Sequence, residues 1–120
     1  MTQIKENNWT HDRLQAECYQ WHVDEYPDDR HLVHANLNNS VGGRRGVRNT
    51  AIGIRKGRCD SQYFKRGRLY LFEFKVGSDS QKADQKAFQE ANEREGAIYQ
   101  IIRSVEQYKL TVITIRSVVF

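Results

Sequence analysis

Apolar and polar positions divide the chain into segments of different period. From Trp9 to Trp21 the residues Trp9, Leu14, Cys18, Tyr19 and Trp21 recur at helical spacing. With Thr10 or Asp12 as N-cap, this predicts a first helix of about 10–12 residues. The run 24–30 (DEYPDDR) holds the only proline and four acids, and reads as a loop. A short strand is expected at 31–36 (HLVHAN), then a loop over 37–50 whose glycines leave it no packing face of its own and make it mobile without a ligand. Residues 58–64 alternate loosely. Residues 68–76 (RLYLFEFKV) alternate well, with Leu69, Leu71, Glu73 and Lys75 on one face and Tyr70, Phe72, Phe74 and Val76 on the other. The short connection at 65–67 (KRG) predicts an antiparallel hairpin. Turn residues at 77–80 lead into a polar helix over 81–95 that Gly96 ends, and 97–103 (AIYQIIR) reads as a buried strand returning beside the hairpin through a crossover. The last run, 104–120, fits an amphipathic helix capped by Ser104 with Gln107 in a capping-box position; its β-branched residues also suit a strand, and the helix is preferred. The order α-β-β-β-α-β-α, without repeat or linker, describes a single mixed-sheet α/β domain over residues 1–120.

Composition narrows the class. A chain of 120 residues, 38% hydrophobic, closes one modest core. It has no apolar stretch of the roughly 18–20 residues that a membrane-spanning helix needs, and its first residues (MTQIKENNWTHDR) do not read as a secretory leader. Cys18 and Cys59 form no CxxC pair, which argues against a disulfide scaffold or a four-cysteine zinc site and for a reducing cytoplasm. Cys18 is expected in the core and Cys59 partly exposed. The four histidines, His11, His22, His31 and His34, lack the spacing and cysteine partners of a zinc site.

Charge is unevenly placed. The net charge is +4, but between Val41 and Lys75 ten basic residues face two acids, so that segment carries +8 and the remainder −4. A basic cluster of this kind suits a polyanion, because phosphate contacts release condensed counterions. Arg44, Arg45, Arg48, Arg55, Lys56 and Arg58 are the candidate phosphate contacts. A solvated basic surface, or one that docks an acidic protein partner, is the plainer alternative.

The two acids in that segment sit where chemistry would use them. Glu73 and Lys75 share one face of a strand, and pairing through the 65–67 turn brings Asp60 within one or two pair positions of Glu73. Two carboxylates and an ammonium beside Leu69 and Leu71 are costly to bury unless they neutralise each other or hold a metal. Mg²⁺ favours one or two carboxylates plus water, and it activates that water while offsetting charge on a phosphodiester. Lys75 would orient or deprotonate the water, or stabilise the phosphate. The same residues also admit a purely structural reading, with Asp60 capping a turn and Glu73 and Lys75 forming an exposed ion pair.

Asp60 followed by Glu73-Phe74-Lys75 resembles the D…(D/E)xK signature of the restriction-endonuclease-like (PD-(D/E)XK) nuclease superfamily. The wider pattern resembles the virus-type replication-repair nuclease (VRR-NUC) family: Glu17 in the first helix, the Gly-rich basic approach at 53–60 (GIRKGRCD), a helix opening with a glutamine, and Gly96 before a strand. Gln85 is the preferred glutamine and Gln81 its competitor. Cys59 stands where the family often has a hydrophobic residue or proline. The similarity runs from Glu17 to Arg103 and implies a restriction-endonuclease-like fold. It makes Asp60 and Glu73 metal ligands, with the Phe74 carbonyl as a further ligand and Glu17 as an outer acid completing the site. Lys75 is then the catalytic lysine and Gln85 a substrate- or water-positioning amide. The implied activity is Mg²⁺- or Mn²⁺-dependent hydrolysis of DNA phosphodiesters in replication, repair or recombination, selective for branched or junction DNA, by a homodimer of bacterial or phage origin. A non-catalytic nucleic-acid-binding module on the same fold is the alternative.

Overall fold

The computed structural model describes residues 4–37 and 42–118. Helix α1 (His11–Glu25) begins where the Thr10 hydroxyl accepts the Arg13 N–H at 3.1 Å, a side-chain N-cap. Its buried residues Leu14, Cys18 and His22 repeat every four positions. The helix runs past Trp21 into the acidic segment, and a short 3₁₀ turn at Pro27–Asp29 then redirects the chain. Strand β1 (Val33–Ala35) follows.

A second helix, α2 (Gly43–Ala51), lies within the segment expected to be a loop. Of its nine residues only Gly46 is buried, so its arginines face solvent and no apolar stripe announces it in the sequence. The expected loop also takes in residues 38–41, which lie outside the described residues.

Strands β2 (Ser61–Lys65) and β3 (Arg68–Phe74) form the expected hairpin. Arg66 and Gly67 at the turn both have positive φ, 50° and 80°, the backbone of a two-residue turn matched to the strand twist. Helix α3 (Ala83–Arg94) ends before Gly96 at φ 99°, and β4 (Ile98–Ile102) returns parallel to β3. Helix α4 (Val105–Ser117) opens with the Ser104 hydroxyl accepting the Gln107 N–H at 3.1 Å; capping and burial of Tyr108, Val112 and Ile115 outweigh its β-branched content.

The four strands lie in the order β1-β2-β3-β4, antiparallel except for the last pair. The alternation of β3 divides the interior as its sequence requires. Tyr70, Phe72 and Phe74 pack with Leu14 and Cys18 of α1 and with Tyr108, Val112 and Ile115 of α4. On the opposite face Leu69 and Leu71 meet Phe88 of α3, with Cys59 and Tyr99. The result is a mixed α/β domain of three layers, helix, sheet and helix. No helix among the described residues is long and apolar enough to cross a membrane.

Candidate active site

The strand pattern places Glu73 on the α3 face, where it is 1% exposed. The Tyr99 hydroxyl of β4 donates to Glu73 Oε1. Glu73 Oε2 is buried with no hydrogen-bond partner, and the Lys75 ammonium lies 3.8 Å from it. Burial comes first in pushing the Tyr99 phenol far above its ordinary range; the bond and charge of Glu73 add to it, while Gln81 pulls weakly the other way.

Lys75 follows the last residue of β3 and its backbone N–H still donates to Ile102 of β4 at 3.0 Å. Its Nζ donates to Gln85 Oε1 at 3.0 Å. The same Oε1 accepts the backbone N–H of Lys82 at 2.8 Å, so the start of α3 orients the amide that holds Lys75. Gln81 instead donates to Gln89 at 2.7 Å, so the lysine is met by Gln85 and the competing glutamine turns along its own segment.

Asp60 bends off the hairpin ladder just before β2. Its backbone N–H donates to the Phe72 carbonyl at 3.0 Å, and its Oδ2 accepts the Phe74 N–H at 2.8 Å. Asp60 is thus fastened to the β3 backbone on both sides of Glu73. From α1, His11 Nε2 lies 2.9 Å from Asp60 Oδ2, and the Gln15 amide donates to the Asp60 carbonyl at 3.3 Å. The bond to Asp60 raises the His11 pKa above its ordinary value, with partial burial opposing and the charges of Asp60 and Asp12 adding.

Asp60, Glu73, Lys75 and Gln85 are therefore brought to one end of β3, with the Phe74 carbonyl at the position between the glutamate and the lysine. Glu17 is exposed on α1, and two residues of helix turn it well away from Gln15, so α1 meets Asp60 through His11 and Gln15. The sequence does not single out His11, which belongs to no histidine motif. The available signal was its position one residue after a strong N-cap and one turn before Gln15.

Cys59, expected to be partly exposed, is fully buried, and its sulfur accepts the Asn36 amide at 3.3 Å. Burial pushes the thiol up to about 11, against the lowering influence of Asn36 and Arg58 and with the charges of Asp60 and Glu73 adding. The bend at Asp60 carries the preceding residue under α3, which a simple strand reading from 58 does not anticipate.

Arg44, Arg45, Arg48, Arg55 and Lys56 are exposed, whereas Arg58 is half-buried and donates to Asn36 and Gln62 at 3.3 and 3.2 Å. Arg55 and Lys56 line a groove with Thr50, Ile54 and Asp84. Asp84 is the neighbour of Gln85, so this basic groove abuts the end of α3 that holds Lys75.

No group of three or more His, Cys, Asp and Glu side chains among the described residues forms a metal cage. A hard cation such as Mg²⁺ does not need one, since one or two carboxylates suffice with water and a backbone carbonyl. The donors fit that requirement: Asp60, the Phe74 carbonyl, and Glu73, whose buried Oε2 has no hydrogen-bond partner. Comparison of the chain with family models, curated proteins and solved structures finds no match in any of the three.

Proposed function

We propose that this chain is a divalent-cation-dependent DNA nuclease with a restriction-endonuclease-like arrangement of its sheet. The observation that carries the reading is the buried pair Glu73 and Lys75 on one strand face, joined by Asp60 at the Phe74 N–H and by Gln85 at the lysine ammonium. Asp60, Glu73 and the Phe74 carbonyl would hold the cation. When bound, it supplies a Lewis acid that lowers the pKa of water and offsets charge on the scissile phosphate. Lys75, steadied by Gln85, presents a positive charge to the phosphodiester and orients the attacking water. The exposed arginines of α2, with Arg55 and Lys56, bind phosphates further along the strand. Phosphate contacts of this kind read the backbone and its shape, not base sequence. Branched or junction DNA, addressed by two copies of the chain, is the substrate class that suits it.

The test is incubation with plasmid, single-stranded and four-way DNA, with Mg²⁺, with Mn²⁺ and with chelator. Cleavage should require the cation, and Asp60→Asn, Glu73→Gln and Lys75→Ala should each reduce it by about 10²–10⁴-fold with circular dichroism unchanged. One observation favours a second reading: the chain's own Tyr99 and Lys75 already face the two Glu73 oxygens. Salt-sensitive DNA binding with no turnover under any cation would establish that non-catalytic module and remove the nuclease.

A further inference from the structure

Between α1 and the β1 side of the sheet lies a cavity of about 240 Å³ that the chemistry assigned above does not use. Val33, Phe74 and Tyr108, each almost fully buried, give it an apolar floor. Gln15 and Tyr19 line it from α1, four positions apart and so on one stripe of the helix, beside the buried stripe of Leu14, Cys18 and His22. Tyr19 is 37% exposed and makes no hydrogen bond or ring contact among the described residues. Gln15 donates one amide N–H to the Asp60 carbonyl at 3.3 Å, and its Oε1 has no partner among the described residues. Ser61 and Ala35 line the cavity from the sheet, where β1 is an edge strand. The Asn36 N–H donates to Asp60 at 2.8 Å and the Phe64 N–H to Leu32 at 2.9 Å. The alternation of an antiparallel ladder then turns the N–H and C=O groups of Val33 and Ala35 toward the open edge, where the His34 ring lies 3.3 Å from the Ala35 carbonyl.

Size and lining restrict the occupant. The volume lies below the roughly 300–1,000 Å³ of sites for cofactors and drug-sized ligands, so it admits one small ring system. An apolar floor, a free aromatic ring at the rim, and amide, hydroxyl and backbone groups around the edge suit a nucleobase, which stacks by its face and hydrogen-bonds by its edge. No acidic side chain among the described residues lines the cavity, so none repels a nucleic-acid strand. The cavity is also fastened to Asp60 three times over. Gln15 donates to the Asp60 carbonyl, Ser61 follows Asp60 in the chain, and the Phe74 N–H donates to the Asp60 carboxylate at 2.8 Å. A strand engaged at Asp60 therefore carries a base beside the cavity.

We propose that this cavity takes one unpaired nucleobase of the DNA strand engaged at Asp60, with Tyr19 as its stacking platform. The inference rests on the reading of Asp60 as part of a DNA-cleaving site. It adds the feature that the substrate must carry there: a base without its complement, as at a bulge, flap or junction. A base within a duplex has to be unpaired and unstacked before it can enter, whereas a base that is already free pays much less. Selection between paired and branched DNA follows from that difference.

The experiment has two arms. In the first, the full isotope-labelled chain is titrated by nuclear magnetic resonance with deoxynucleoside 5′-monophosphates and with deoxyribose 5-phosphate, which has no base. The amide signals of Tyr19, Ala35 and Ser61 should shift with the nucleotides and stay in place with the sugar phosphate. In the second, fluorescence anisotropy with chelator present compares a duplex carrying one bulged base, the same bulge made abasic, and the fully paired duplex. The wild type should bind the bulged base at least about 5-fold more tightly than either control. Tyr19→Ala should remove that preference and leave the affinity for the paired duplex unchanged. Ala35→Leu, which fills the cavity from an exposed position, should match it, and thermal melts of both variants check the fold. Equal affinity of the wild type for all three duplexes, with cation-dependent cleavage intact, would overturn the base cavity and leave the nuclease reading standing. Nucleotide shifts without any preference among the duplexes would mark a site for free nucleotides and overturn the proposal. Base-dependent binding with no cleavage under any cation would uphold the cavity and remove the nuclease, and failure to bind any duplex would overturn both.

Discussion

At the scale of single residues, a second network of buried polar groups lies away from the candidate active site. Asp29 sits in the segment read as an acidic loop, yet it is fully buried. Its carboxylate accepts from Tyr63 and from Lys65 at 2.7 Å, and lies 2.9 Å from both Arg116 and His22. Burial would raise its pKa, but these partners outweigh burial and hold it well below the usual carboxylate range. His22 is also fully buried, with Nδ1 2.6 Å from the Tyr108 hydroxyl. Burial lowers its pKa, Asp29 opposes, and Arg116 and Lys65 add to the lowering. A histidine with a depressed native pKa contributes stability that is complete above its ordinary value of 6.5 and is lost as pH falls below it. Asp29 works in the same direction further down, through the carboxylate range. His11, with its raised pKa, has the opposite sign, but its exposure to solvent screens it. The Tm should therefore fall between pH about 7.5 and about 5.5, and His22→Gln should flatten that slope; a Tm that rises on acidification would contradict this assignment.

At the scale of elements, the approach at 53–60 is a packing joint as well as a basic stretch. Gly57 has φ 87°, and a Cβ there would stand 2.7 Å from the Asp84 carbonyl oxygen at the start of α3. Gly57→Ala combines an unfavourable backbone conformation with a backbone clash, and should cost about 1–3 kcal/mol in urea denaturation. Because it pushes on the turn that carries Gln85, the proposed nuclease activity should fall even where the fold survives. The strict alternation of β3 is visible in its letters, since a strand sends successive side chains to opposite faces. So are the crossover and the capped start of α4. Helix α2 was not legible, because only Gly46 of its nine residues is buried and a helix without a core-facing stripe has no period to detect.

At the scale of the whole molecule, the basic surface runs from α2 along the groove of Arg55 and Lys56 to the end of β3. Each phosphate contact adds roughly 0.9 to the slope of log affinity against log salt on duplex DNA. Replacing Arg44, Arg45 and Arg48 together by alanine should reduce that slope by about 2–3, read by fluorescence anisotropy across a salt series. All three are exposed, so the Tm should not move. A slope that stays constant would remove α2 from the proposed DNA-binding surface.

The letters alone were enough to place Glu73 and Lys75 on one strand face, to pair that strand with its neighbour and to bring Asp60 toward them. These relations follow from the pleat of a strand and the length of a turn, which act over a few residues. The partners of those groups are a tertiary matter. His11 meets Asp60 across 49 positions, Tyr99 meets Glu73 across 26, and Asp29 gathers charges from β2 and α4. No local period encodes such meetings. They depend on where packed layers stop, and that is decided by which apolar faces the sheet and helices bury against one another.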